Sequence, residues 1–276
     1  MRILSVLVLF CLISVGCKQT SKIVKSDSVN KVDASDRKQA FQVINGDTVN
    51  RVDPAGLKQG KWIIPGQFEA RGVYKNNVKV GQWISYFAGN YLKTLETFEN
   101  GKLSGVAIEL DRWGRLISEG YYVSGILNGT YKTFTSDGFY KSYAEYKNGK
   151  LNGVKRSYYV ETPDRIMEEA NYINDQKNGL SRWFTQEGQI VADYNYANGM
   201  LEGDVKTFYP SGKVMTTEHY IKNLRQDNAV EYFESGKVKT QGTYKDDLKD
   251  GDWVVYDENQ TIVSKDKYKA GVVLNK

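Results

Sequence analysis

Residues 148–153 read NGKLNG, and close copies recur along the chain: NGKLSG at 100–105, SGILNG at 124–129 and NGMLEG at 198–203. Asn-Gly between runs rich in Tyr, Val and Thr signals a two-residue hairpin turn, because both central residues need φ > 0. With Gly153 as anchor, equivalent glycines are Gly60, Gly81, Gly105, Gly129, Gly179, Gly203 and Gly251, and Asp227 fills the one vacant place. The spacings are 21, then 24 three times, then 26, then 24 three times.

Aromatic residues keep the same phase. Seven before each anchor from Gly81 onward stand Tyr74, Phe98, Tyr122, Tyr146, Tyr172, Tyr196, Tyr220 and Tyr244, and Tyr268 continues the series. Five after the anchor stand Tyr86, Phe134, Tyr158, Phe184, Phe208, Tyr232 and Tyr256. A period held at two positions over most of a chain is the mark of a repeat protein. A second turn signal lies nine after most anchors, as Trp113-Gly114, Asp137-Gly138, Glu187-Gly188, Ser211-Gly212 and Ser235-Gly236. Read as a two-residue turn, it makes each 24-residue unit one β-hairpin. The expected fold is all-β: an elongated single antiparallel meander of about nine stacked hairpins over residues 51–276.

A register centred on Glu187-Gly188 sets Gly179 opposite Tyr196, and the same rule sets Gly129 opposite Tyr146. Bare glycine would let the Tyr ring lie flat across the ladder. Residues eleven after the anchor (Leu116, Ile190, Val214, Val238, Ile262, and Tyr140 as the aromatic exception) are expected on this packed face, joined by Leu103, Leu127, Leu151 and Leu201.

The chain opens MRILSVLVLFCLISVGC. Its apolar run is too short to span a bilayer, which needs about 20 residues, but suits a signal-peptide core. Small residues before Cys17 resemble a bacterial lipobox. Residues 1–16 are therefore expected to be removed as a lipoprotein signal peptide, with Cys17 acylated as the membrane anchor. Cys11 would leave with the signal, so acylation also accounts for a lone exported thiol. Residues 17–50, polar and mixed in charge, read as a tether. The expected location is the bacterial cell envelope. Lys18-Gln19 lacks the Asp that favours inner-membrane retention in some bacteria, which points to the outer membrane.

The pattern G-x-[WVY]-x-x-[YF]…G-[KR]-[LIV]…Y-x-N-G-K-x-x-G resembles the MORN (membrane occupation and recognition nexus) repeat. It is closer to the longer bacterial variant found in YwqK-type antitoxin proteins. The resemblance covers about residues 56–276. It implies a twisted sheet of hairpins and a role in protein or lipid binding, and the antitoxin label implies neutralising a toxin. A lipobox departs from a cytosolic antitoxin.

Three after the anchor the middle units carry Lys132, Arg156, Arg182 and Lys206, where outer units carry Ile63, Ile84, Ile108, Val230 and Val254. These cations alternate with Phe134, Tyr158, Phe184 and Phe208, so all eight share one surface. The result is a basic and aromatic stripe on the order of 30 Å long, since strands lie about 4.8 Å apart. It could seat an acidic protein surface, anionic lipid headgroups or a charged glycan. The competing reading is a solvated face with cross-strand pairs, in which Arg182 meets Asp193, Lys132 meets Tyr143 and Lys206 meets Thr217. Trp62 and Trp253, in units apolar on both faces, are expected to close the ends.

Chemistry is poorly provided for. His219 is the one histidine, so neither a Ser–His–Asp triad nor a Cys–His pair has support, and zinc lacks its usual ligands. Glu119, Glu169 and Asp193 occupy one repeat position, which favours ladder pairing over an acid/base couple. The net charge of +5 among 71 ionisable Lys, Arg, Asp and Glu side chains does not indicate a nucleic-acid binder. The expectation is a non-enzymatic scaffold with no cofactor or metal and a protein partner. The alternatives are a toxin-neutralising inhibitor and an envelope hydrolase acting on glycan.

Overall fold

The computed structural model describes residues 40–67 and 69–274, all within one compact unit, Gln39–Lys276. The expected signal peptide, Cys17 and most of the expected tether lie outside the described residues. Twenty-three β-strands and no helix occupy the described part, and the pairings are antiparallel between strands close in sequence. The sheet begins earlier than expected. Strands Ala40–Ile44 and Asp47–Val52 form a hairpin about Asn45-Gly46, so residues 40–50 belong to the array and not to a tether. Val49, 3% exposed, is buried there. The Asn-Gly signal was present, but no anchor or phased aromatic accompanies it.

The two turn classes differ. Asn148-Gly149 has φ of 52° and 79°, the left-handed pair that a two-residue hairpin turn needs. Asp175, Asn223 and Asp247 stand where that turn more often has Gly, with φ of 70°, 70° and 65°. Each offsets the strain with a hydrogen bond to the turn one repeat back. The N–H groups of Leu151, Leu201 and Arg225 donate to their Oδ1 atoms at 2.7, 2.7 and 2.9 Å. The turns also join through the backbone, as where Gly149 N–H donates to Leu127 O at 2.8 Å and Asp175 N–H to Leu151 O at 2.9 Å.

The second class is not a two-residue turn. Thr185 N–H donates to Gln189 O and Gly188 N–H to Thr185 O, and Gly188 alone of the Glu187-Gly188 pair has positive φ. This is a three-residue loop, a type I turn closed by a left-handed bulge residue. The following bulge moves the register between Trp183 and Phe184, so Phe184 pairs with Ile190. The residues eleven after the anchor therefore share the face of the basic and aromatic stripe, not the packed face expected for them.

The packed face holds most of the buried side chains: Trp83, Ala144, Ala170, Ser181, Ala192, Val205, Ala229 and Trp253. Anchor glycines do lie opposite tyrosines, as Gly129 does Tyr146 and Gly179 does Tyr196. Their reason is different, however. They hold φ from 66° to 140° in a bulge, and a Cβ on Gly60 or Gly81 would meet nothing. The glycines pressed hardest beneath rings are Gly72, Gly120 and Gly242, against Trp83, Tyr131 and Trp253, and of the anchors Gly129 lies against the Tyr121 ring. Bulk is traded between facing positions: beside the small Ser181 stands Tyr194, and beside Ala229 and Val205 stands Glu218. Close packing demands this alternation of large and small.

Asp227 takes φ 58° at an anchor position. Asp227→Gly is expected to hold stability level or raise it by up to about 1 kcal/mol, and Asp227→Val to lower it by about 1–2 kcal/mol, because a β-branched residue resists left-handed backbone. Urea unfolding of the two variants beside the parent checks the order.

Candidate interaction face

The opposite face carries the stripe. Alternation along strands Ile126–Phe134, Lys150–Tyr158, Gln176–Phe184 and Gly203–Phe208 places Lys132, Arg156, Arg182 and Lys206 on the side of Phe134, Tyr158, Phe184 and Phe208. All eight residues come together as the spacing predicts.

The cations are largely neutralised. Each strand has two neighbours, and the carboxylate comes from whichever offers one. Lys132 faces Tyr143 on one side and Glu119 on the other, and its Nζ lies 3.0 Å from Glu119 Oε1. Arg156, flanked by Tyr143 and Glu169, donates from Nε to Glu169 Oε2 at 2.6 Å, with its guanidinium 5.7 Å from the Tyr143 ring centre. Arg182 grips Asp193 with two hydrogen bonds of 2.7 and 2.8 Å. Hydrogen bonds to these carboxylates raise both guanidinium pKa values further above their ordinary level. Lys206 lies between Asp193, held by Arg182, and Thr217, and among the described residues it alone of the four has no ion pair. Glu119, Glu169 and Asp193 are thus ladder partners.

Beside this ladder runs an apolar row set by the bulges. Phe134 pairs with Tyr140, Tyr158 with Ile166, Phe184 with Ile190, Phe208 with Val214 and Tyr232 with Val238. Phe134, Tyr140 and Tyr158 stack in succession, with ring centres 5.3 and 5.6 Å apart. Burial lifts the Tyr158 phenol pKa above its ordinary level. Most of the row is half-exposed.

A feature of the packed face escaped the sequence reading. The position two before the anchor, Leu in several units, is Lys58, Lys79, Lys177, Arg225 and Lys249 in others. These cations cover rings: Lys79 Nζ is 4.3 Å from the Trp83 centre, Arg225 Cζ 4.0 Å from Tyr244 and Lys249 Nζ 4.1 Å from Trp253. The signal was their phase with Leu103, Leu127, Leu151 and Leu201. His219 sits at the surface, its Nδ1 2.8 Å from Asp204 Oδ1.

Residues 201–222 and 228–246 match the family model described as MORN repeat variant. The chain carries MORN-variant repeats at those positions. The matched segments supply Lys206, Phe208 and Tyr232 to the face just described. No curated protein matches the chain. Among solved structures, one of the Photorhabdus luminescens Tc holotoxin pore is similar over 82% of this chain and 13% of that one, at 9% identity and a TM-score of 0.21. A score that low bears on neither fold nor function.

Proposed function

We propose that this chain is a non-enzymatic repeat scaffold of the bacterial envelope, held to a membrane through acylated Cys17, whose MORN-variant sheet binds a protein partner on the striped face. One observation carries the reading: a half-exposed row of rings and aliphatics borders an ionic ladder whose Lys132, Arg156 and Arg182 already have carboxylate partners. Rings supply contact area at low entropic cost, and binding energy concentrates in a few such residues. The paired cations keep the face soluble and fix the register of a partner more than they attract it. Use of Glu119, Glu169 and Asp193 in that ladder supports a binding role over an acid/base one.

The protein is to be purified from its native membranes with cross-linked partners, which are identified and then tested one by one as pure proteins. A direct partner should lose at least tenfold in affinity on Phe184→Ser with Phe208→Ser, about 1.4 kcal/mol or more. Lys206→Ser should cost less than threefold. Undiminished affinity in the double ring variant overturns the assignment of this face. Cys17→Ser is expected to abolish metabolic labelling with palmitate, and retained labelling refutes the anchor.

A further inference from the structure

Three successive loops on the edge of the sheet enclose a cleft of about 570 Å³ lined by Gln67, Phe87, Ala88, Tyr91, Arg112 and Trp113. That volume falls in the roughly 300–1,000 Å³ range of ligand sites. Trp113 is 72% exposed and Tyr91 59%, whereas Trp83 is 2% and Trp253 8% exposed. An indole left in water forgoes about 25 cal/mol for each Å² it could have buried.

The repeat supplies its own control. At the place of Trp113 the equivalent loops carry Asp137, Glu187, Ser211, Ser235 and Asn259, and at the place of Arg112 they carry Ser136, Gln186, Pro210, Glu234 and Glu258. The loop itself does not require the ring. Asp111 Oδ1 accepts from Trp113 N–H at 2.9 Å and Arg115 N–H at 3.0 Å, and Asp257 makes the same two bonds to Asn259 and Thr261. A polar residue therefore serves the same backbone geometry. The brace instead sets a cation against the ring: Arg115 donates from Nε to Asp111 Oδ2 at 2.7 Å, and its guanidinium lies 4.7 Å from the Trp113 ring centre. A contact that narrows the ring's rotamers before binding reduces the entropy lost when a ligand arrives.

We infer that this cleft binds an acidic saccharide, with Trp113 and Tyr91 stacking on the C–H faces of sugar rings and Arg112 receiving a carboxylate. The chemistry divides cleanly. Flat aromatic faces match the apolar face of a pyranose, the Gln67 amide can serve hydroxyls as donor and acceptor, and the planar guanidinium forks onto a carboxylate. Asp111 does not compete for Arg112, because Arg115 and the turn occupy it. A proline-rich peptide also fits aromatic grooves, but it brings no anion for Arg112. The site is separate from the proposed partner face and stands or falls without it.

The test is calorimetric titration of the full chain, in detergent, with three probes: oligogalacturonate, a neutral glucose oligomer of equal length, and a proline-rich peptide. The uronate oligomer should bind tightest. Trp113→Ala should lower its affinity at least tenfold, Tyr91→Ala several-fold, and Arg112→Gln should erase the preference over the neutral oligomer. Since Trp113 and Tyr91 are exposed, the melting temperature should hold in both alanine variants. The inference is overturned by no uronate binding, by binding indifferent to Trp113→Ala, or by tighter Trp113-dependent binding of the peptide.

Discussion

Gly242→Ala is expected to destabilise the protein by about 3 kcal/mol, the upper part of the range for overpacking a filled site. A Cβ at Gly242 would stand 2.6 Å from Trp253 Cγ and nearer still to two other indole carbons. Neither side can yield cheaply. The backbone belongs to paired strands, and Trp253 is fixed by a hydrogen bond from Nε1 to Thr243 O at 3.1 Å, by Lys249 and by Tyr244, whose ring centre is 5.0 Å away. The same repeat position already holds alanine at Ala144 and Ala170, where no tryptophan lies across it. The check is a double-mutant cycle in urea: Trp253→Leu should remove most of the penalty of Gly242→Ala. If the penalty survives, the clash with the indole is not its cause.

Trp83→Ala should cost about 3–5 kcal/mol, the usual toll of truncating a buried aromatic. Its indole fills the space over Gly72, meets Tyr74 and Phe98 edge-on with centres 5.0 and 6.5 Å away, and lies under Lys79. Each repeat touches only its neighbours, so the damage should be local. Amide hydrogen exchange should rise in strands Ala70–Lys75, Val78–Phe87 and Tyr91–Glu99 and stay unchanged in Leu248–Tyr256. Uniform loss of protection would mean that the sheet unfolds as one cooperative unit.

The candidate face was partly legible before the fold was known. Alternation put Lys132, Arg156, Arg182 and Lys206 beside four rings, and the register paired Arg182 with Asp193. The partner of Lys132 lay beyond a single hairpin. Glu119 sits on the strand of the preceding hairpin, and a middle strand has two edges. The spacing of 26 between Gly153 and Gly179 reflects a two-residue insertion within VETPDR at 160–165, which left the neighbours of Arg156 unplaced. The insertion closes as a longer loop, with Tyr159 N–H donating to Arg165 O, which restores the pairing of Arg156 with Glu169. The cleft at Trp113 gave no periodic signal, since it is made where the repeat departs from itself.

By itself the sequence determined the hairpin unit, its period and its antiparallel pairing as far as the bulge beside each second turn, because these follow from φ > 0 at turn glycines and asparagines and from alternation along a strand. Tertiary structure decided which face each residue beyond a bulge joins, which carboxylate meets each cation, and which glycines lie under rings. Those choices depend on neighbours about 24 residues away, and on one extra residue in a strand, which reverses every side chain that follows it.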